Sequence, residues 1–167
     1  MTQEYKFKNT YQLTMMHIII GTAFAGFGIF ILFHSFLTGQ LTVGTLITLT
    51  VIIFIVLINI QPVRCRIQYK TYDKDKIVRL DKAEKKISVT TKGQEEIQIT
   101  GDEVKEVELF YSWNTNPITS DLGYSKIKLN DGRTIILTQL TIDQSIIKSM
   151  FRDKVVREKT RFMNMIT

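Results

Sequence analysis

Two long runs of apolar residues lie one after the other in the N-terminal third of the chain. The first covers residues 15–37 and the second covers residues 41–60. A helix needs about 20 apolar residues to cross the hydrocarbon core of a bilayer, so each run can span it once. Thr38-Gly39-Gln40, between the runs, is short, uncharged and turn-forming. The pattern therefore predicts a transmembrane helical hairpin over residues 15–60.

Short runs of alternating apolar and polar residues follow the hairpin. They are typical of half-buried strands, and Asn130-Asp131-Gly132 is a strong signal for a two-strand hairpin. Residues 61–76 fit either a basic juxtamembrane linker or a first strand, and Pro62 favours an end to the second helix. Six or seven strands predict one antiparallel barrel or sandwich. The clearest runs cover residues 77–80, 87–91, 95–100, 107–113, 126–129 and 133–139.

The hydrophobic period changes to that of a helix after residue 140. Thr141 and Gln144 have the spacing of a capping box, and the apolar residues that follow recur at three and four positions. This predicts an amphipathic C-terminal helix over residues 141–163 that covers the open end of the strands. The fold class is therefore α+β, a membrane hairpin followed by a helix-capped β-domain over residues 77–167. The apolar stripe comprises Ile142, Ile146, Ile147, Met150, Phe151 and Val155.

Charge divides the chain in the same place as hydropathy. Residues 9–63 form a stretch of 55 residues without a charged side chain, whereas residues 64–167 hold 20 of the 22 basic and 15 of the 16 acidic side chains. This division excludes a single soluble globule, a disordered chain and a disulfide scaffold. A single cysteine, Cys65, excludes an intrachain disulfide.

The basic residues beside the hairpin predict its orientation. Lys6 and Lys8 precede the first span, in the N-terminal segment of residues 1–14, and a basic segment follows the second span. Because basic residues favour the cytoplasmic side, both termini are expected in the cytoplasm, with the protein spanning a cell membrane twice.

Small residues on the two spans indicate close helix packing. Gly21, Ala25 and Gly28 share one face of the first span, and Gly44 and Thr48 form a matching patch on the second. Such faces let helix backbones approach closely in lipid. Two interpretations stay open: the hairpin packs on itself, or the face contacts a second copy or a partner helix.

No catalytic or metal-binding constellation occurs in the sequence. There is no Walker loop, Gly-x-Ser-x-Gly, His-Glu-x-x-His or Cys-x-x-Cys motif, and residues 64–167 contain no histidine. His17 and His34 are 17 residues apart on one predicted helix, about 25 Å of rise, so we expect them to anchor opposite membrane edges. An enzyme, a cofactor and a nucleic-acid partner are not expected.

Consecutive antiparallel strands, a basic first hairpin with Lys82, Lys85 and Lys86, a late Asn-Asp-Gly hairpin and one terminal helix resemble the pleckstrin-homology (PH)-like domain. The whole arrangement is similar to that of bacterial membrane proteins that attach a PH-like domain to a two-helix hairpin. The resemblance implies a binding module for lipid or protein.

Two surfaces are candidates for binding. Residues 61–86 carry nine basic and four acidic side chains, which can contact anionic headgroups or serve only as a topology signal. Residues 114–122 form the longest irregular stretch, and Trp113, Asn114 and Pro117 there are candidates for contact with a protein partner. Trp113 equally fits an ordinary core position of its strand. The candidate headgroup ligands are Arg64, Arg66, Lys70, Lys82, Lys85 and Lys86.

Three functional hypotheses follow. The first is a non-catalytic membrane-anchored adaptor that presents the PH-like domain to a protein partner. The second is a module that binds or senses anionic lipid headgroups. The third is an accessory subunit of a transport or envelope-biogenesis complex, contacted mainly through the small-residue face of the hairpin.

Overall fold

The computed structural model describes residues 2–112, 120–161 and 164–166, apart from the side chain of residue 161. The chain divides into two compact units. Residues 10–64 form the first, called here the hairpin unit, and residues 1–9 together with 65–167 form the second, called here the sheet unit.

The hairpin unit contains two long apolar helices. Helix α1 covers Tyr11–Thr38, and helix α2 begins at Val43. Gly39 ends α1 in the left-handed conformation, with a φ of 64°, which costs a glycine little because it has no Cβ. Both helices are long and apolar enough to cross a membrane. Most of their large apolar side chains are exposed, as expected for a surface that lipid covers.

Helix α2 is longer than the hydrophobic pattern predicts. It covers Val43–Asp73 and contains Pro62, so the predicted helix end at this proline and the predicted linker or strand over residues 61–76 are both wrong. An interior proline removes one backbone hydrogen bond and costs about 3 kcal/mol. The helix continues because Cys65 and Tyr69, both fully buried in the sheet unit, stabilise its last turns.

Four antiparallel strands form the first sheet of the sheet unit, in the order β1-β2-β3-β4. Strand β1 pairs with β2 although it lies in the N-terminal segment that the pattern leaves without structure. The sequence gives little sign of this strand because its side chains are mostly exposed and show no apolar alternation. The strands are β1 (Thr2–Lys6), β2 (Lys76–Asp81), β3 (Lys86–Thr91) and β4 (Ile97–Ile99).

The second sheet has the order β7-β6-β5-β8. Its β6–β7 turn is the predicted Asn130-Asp131-Gly132 hairpin, where Gly132 has a φ of 86° and the Asp131 carboxylate accepts the Arg133 N–H at 2.9 Å. Strand β8 is parallel to β5, and the other pairs are antiparallel. The strands are β5 (Val104–Ser112), β6 (Tyr124–Leu129), β7 (Thr134–Thr138) and β8 (Val155–Arg161).

The apolar core of the sheet unit lies between the two sheets. Buried residues alternate with more exposed ones at Val78 and Leu80 of β2 and at Val107 and Leu109 of β5, as the alternating pattern predicts. The two sheets are not joined into a closed barrel, so the sandwich is the arrangement observed. Both sheets and the last helix contribute to this core, including Val78, Leu80, Ile87, Val107, Leu109, Ile127, Ile147 and Phe151.

The C-terminal helix is short. Helix α3 covers Gln144–Met150, and a 3₁₀ turn then leads into β8, so the predicted helix over residues 141–163 is wrong beyond its first two turns. The capping-box prediction is also wrong, because Asp143 is the N-cap and accepts the Ser145 N–H at 2.8 Å. Val155 continues the helical spacing of the apolar stripe, which is why the sequence predicts helix there, but in the structure it begins a strand.

A charge placed on the buried face of α3 should destabilise the sheet unit. Ile147 is fully buried, so Ile147→Asp should lower the free energy of unfolding by several kcal/mol. Ser149→Asp introduces the same charge on the exposed face and should change it by no more than about 0.5 kcal/mol. Thermal unfolding of the full chain in detergent compares the two, and equal stability of both variants would contradict this position of α3.

Candidate functional site

The predicted basic hairpin is the β2–β3 turn. Lys82 and Lys85 are exposed there, and Lys86 is half-buried. The Asp81 carboxylate accepts the Glu84 N–H at 3.3 Å, and this bond is the main reason that the pKa of Asp81 lies below its usual range. Asp81 therefore stays ionised at neutral pH. Its charge and that of Glu84 leave the three lysines a net charge of only +1.

Arg66 does not face the solvent, so its predicted role as a headgroup ligand is wrong for this structure. Only 2% of its side chain is exposed, and its guanidinium donates two hydrogen bonds of 3.0 Å to the Asp121 carboxylate. A bidentate pair of this kind fixes both side chains. Arg66 thus ties the last turns of α2 to the segment that precedes β6. Arg64 and Lys70, the other two basic candidates on α2, are exposed.

The small-residue face of α1 packs within the hairpin. Gly21 and Gly28 are buried, and a Cβ on Gly28 would lie 3.1 Å from Ile52 Cγ2, which is closer than ordinary contact. Ala25 beside them is half-buried. The predicted patch on α2 is not the one that meets this face. Its two residues, Gly44 and Thr48, are exposed, and the Thr48 hydroxyl donates to the Gly44 carbonyl at 2.9 Å.

A polar contact joins the two helices of the hairpin. His17 Nδ1 lies 2.9 Å from Asn59 Oδ1, and His17 is only 6% exposed. The sequence predicts that His17 anchors a membrane edge. In the structure its side chain instead faces α2. The sequence signal for this contact is Asn59, an amide in an otherwise apolar run. Such interhelical bonds contribute about 1 kcal/mol in lipid.

Trp113, Asn114 and Pro117, the candidate contacts for a protein partner, lie outside the described residues.

The structure brings together four lysines from three separate parts of the sequence. They line a cleft of about 460 Å³ at one end of the first sheet, called here the cationic cleft. One carboxylate, Asp75, also lines it, so its lining charges sum to +3. The remaining lining residues are uncharged. The cleft comprises Lys6, Phe7, Lys74, Asp75, Lys76, Ile77, Thr90 and Lys92.

Strand pairing explains how the cationic cleft forms. Lys6 pairs with Ile77, and Ile77 pairs with Thr90. The end of β1, the start of β2 and the end of β3 therefore lie side by side at one end of the sheet. The Lys92 N–H donates to the Asp75 carbonyl at 3.0 Å and holds the β3–β4 turn against the residues that follow α2. The sequence does not predict this cleft, because Lys6 joins it only through the pairing of β1 with β2.

A buried carboxylate supports one wall of the cleft. Asp73, the last residue of α2, is fully buried and accepts the Thr138 N–H at 2.8 Å and the Thr141 hydroxyl at 2.9 Å. The Lys76 ammonium lies 3.1 Å from the same carboxylate and also donates to the Ile136 carbonyl at 3.1 Å. These bonds join α2, β2 and the end of β7.

One of the three comparisons with known proteins found a match. A family model described as a PH domain matches residues 4–150, from β1 through both helices of the hairpin to the end of α3. This confirms the resemblance that the sequence predicts, and strand β8 lies beyond the matched residues. No curated protein and no solved structure matches the chain.

Removing the charge of Asp73 should destabilise the sheet unit strongly. Asp73→Asn leaves the Lys76 ammonium, 17% exposed, without its carboxylate partner, and breaking a buried pair in this way costs about 3–5 kcal/mol. Asp75→Asn is the matched control, because Asp75 is 49% exposed and lies 3.8 Å from Lys74; it should cost less than about 0.5 kcal/mol. Denaturant unfolding measures both, and a stable Asp73→Asn protein would show that this carboxylate is dispensable.

Proposed function

Since the chain belongs to the PH domain family, we propose that it is a membrane-anchored, non-catalytic binding module. Helices α1 and α2 cross a cell membrane, with both termini in the cytoplasm. The sheet unit docks a protein partner there, so the protein acts as an adaptor. The charge-free hairpin and its basic flanks support the anchoring and the orientation.

The observation that carries the proposal is the extent of α2. The helix begins in the apolar run, and its last nine residues, 65–73, belong to the sheet unit. Tyr69 is fully buried among these residues, and its hydroxyl donates to the Asn164 carbonyl at 2.6 Å. The second candidate span is therefore also a structural element of the binding domain.

The edge of the second sheet formed by β8 supports docking of a protein. Strand β8 is an outer strand of its sheet, so one row of its backbone groups is left for pairing with another chain. The register between β5 and β8 shifts between Val107 and Glu108. Val156 lies opposite this shift and is 61% exposed. An exposed apolar side chain on an edge strand is a suitable contact for a protein partner.

The β2–β3 turn supports a second candidate, binding of anionic headgroups. Lys82 and Lys85 are exposed at its tip, and each lysine near an anionic membrane surface contributes about 1 kcal/mol. Asp81 and Glu84 offset most of this attraction. The turn is therefore the weaker of the two candidates.

A third candidate, an accessory subunit contacted through the hairpin, rests on the residues that the hairpin leaves exposed. Gly21 and Gly28 are occupied by packing within the hairpin. Gly44 and Thr48 on α2 are exposed and are the residues that a partner helix would contact.

The orientation can be tested by cysteine labelling in intact cells. In a Cys65→Ala background, Gln40→Cys in the α1–α2 connector should react with a membrane-impermeant maleimide. Gln94→Cys, in the exposed β3–β4 turn, should react only after permeabilisation. Labelling of Gln94→Cys in intact cells would place the sheet unit outside and contradict a cytoplasmic partner.

The docking edge can be tested by site-specific photo-crosslinking. A photoreactive amino acid at Val156 should give a discrete adduct of higher mass in intact cells. The matched control is Gln98, an exposed residue on β4, which is an outer strand of the other sheet. Adducts of equal yield at both positions would indicate random encounters, and none at Val156 would exclude β8 as the docking edge.

A further inference from the structure

We propose that the hairpin binds one anionic phospholipid in a groove between α1 and α2, with the phosphate between Arg64 and His17 and one acyl chain along the groove. The proposal goes beyond docking of a protein partner at β8, because every residue that it uses belongs to the hairpin unit. It rests on the proposed insertion of the hairpin in a membrane.

One end of the groove is polar. It is a cavity of about 320 Å³ between the two helices, called here the polar pocket. His17 and Thr22 line it from α1, and Asn59 and Arg64 line it from α2. The other lining residues are glycine, alanine and larger apolar residues. Polar groups in a membrane span are costly, so four of them around one cavity point to a polar ligand there.

The His17 side chain has one nitrogen available for such a ligand. The Asn59 amide nitrogen donates to the Ile55 carbonyl at 2.9 Å, so its oxygen faces His17 and accepts a hydrogen bond from Nδ1. The other ring nitrogen, Nε2, is buried and has no hydrogen-bond partner among the described residues. A buried nitrogen of this kind costs free energy until it is paired. When it carries a proton, Nε2 can donate to a phosphate oxygen.

Arg64 supplies the charge that a phosphate requires. It is the one charged residue in the sequence of the hairpin unit, its side chain is exposed, and it has no ion-pair partner among the described residues. Arg64 follows Asn59 by five residues, about 7.5 Å of helix rise. An arginine side chain is long enough to cover this distance, and its guanidinium binds phosphate through two parallel hydrogen bonds. His17 and Arg64 can therefore contact one phosphate from opposite helices.

The rest of the groove is apolar. A second cavity of about 490 Å³ continues from the polar pocket, since Ala25 and Val56 line both. Gly28 also lines the second cavity, and the 11 residues from His17 to Gly28 correspond to about 16 Å of helix. Half of a hydrocarbon core of about 30 Å is about 15 Å. The groove thus suits one acyl chain that extends from the headgroup to the middle of the bilayer.

Charge favours a lipid over a second copy of the chain in this groove. Two copies in the same orientation would meet through the same face, so a symmetric dimer would place one Arg64 beside the other. Residues 10–64 contain no acidic side chain that could neutralise the pair. An anionic phospholipid neutralises Arg64 and provides the apolar chain as well.

The test measures lipid binding to the full chain in an uncharged detergent by native mass spectrometry. Dioleoyl phosphatidylglycerol and dioleoyl phosphatidylcholine have the same acyl chains and both contain a phosphate, but only the first has a net charge. The glycerol lipid should bind one to one, with a Kd at least about tenfold lower than that of the choline lipid.

Two variants and two matched controls locate the site. Arg64→Gln should raise the Kd for phosphatidylglycerol about tenfold. Lys70→Gln removes the same charge from another exposed position of α2 and should stay within about twofold. His17→Gln should raise the Kd severalfold, and His34→Gln, at an exposed position of the same helix, should leave it unchanged.

A variant with the opposite effect separates loss of binding from loss of packing. Ile18 lines the polar pocket and is 42% exposed, so Ile18→Lys adds a second cation there and should tighten binding severalfold. A disrupted hairpin would not show that gain. The proposal is overturned if the two lipids bind equally, if Arg64→Gln and Lys70→Gln have the same effect, or if Ile18→Lys leaves the Kd unchanged.

Two further outcomes identify what would be wrong instead. A lipid-free dimer that His17→Gln dissociates would assign the groove to a second copy and overturn the lipid site. Release of the chain from cell membranes by alkaline carbonate would contradict both the membrane hairpin and the lipid site. A chain that stays in the membrane but binds the two lipids equally would overturn the lipid site alone.

Discussion

Burial of the last turns of α2 is the constraint on which the rest of the sheet unit depends. Cys65 and Tyr69 are fully buried there in a second apolar cluster, separate from the core between the sheets. Polar contacts hold the same turns from several sides. Arg66 pairs with Asp121, and the Gln68 side chain exchanges two hydrogen bonds of 2.9 Å with the backbone of Ile166, as a neighbouring strand would.

Segments near both termini of the chain pack around the last turns of α2. The side-chain amide of Asn164 donates to the Tyr111 carbonyl at 2.8 Å, and the Lys8 N–H donates to the Leu140 carbonyl at 2.7 Å. Phe7 packs against the cluster that contains Tyr69. The N-terminal segment thereby places Lys6 at the end of the first sheet where the cationic cleft lies. The cationic cleft is thus a consequence of where α2 enters the domain and of what its last turns bury.

The Asp73 side chain alone contacts several of the elements that pack around the end of α2. It ends α2, accepts hydrogen bonds from both Thr138 and Thr141, and holds the ammonium of Lys76 at the start of β2. A fully buried carboxylate needs such partners, because an unpaired charge in a low-dielectric interior is costly. The sequence predicts Thr141 as part of a helix cap, and its hydroxyl instead satisfies this carboxylate. A local pattern cannot reveal a partner 68 residues away.

The hairpin and the central strands could be predicted because each depends on a local pattern. A charge-free run and alternating apolar residues such as Val107 and Leu109 are visible in any short window of the sequence. Strand β1 could not be predicted, since its stability comes from pairing with β2 rather than from burial of its own side chains. The continuation of α2 past Pro62 likewise depends on distant partners of Tyr69. The β2–β3 lysines were visible as a run, but the four lysines of the cleft come together only in the fold.

Hydrogen–deuterium exchange on the full chain in detergent tests the central claim most directly. If the last turns of α2 belong to the sheet unit, the amides of residues 65–73 should exchange as slowly as those of β5 and β6. Asp73→Asn should speed exchange of the amides of residues 65–73 and of those of β5 and β6 to a similar extent. Rapid exchange of residues 65–73 beside a protected β5 would show that the domain folds without the helix, and would contradict this account.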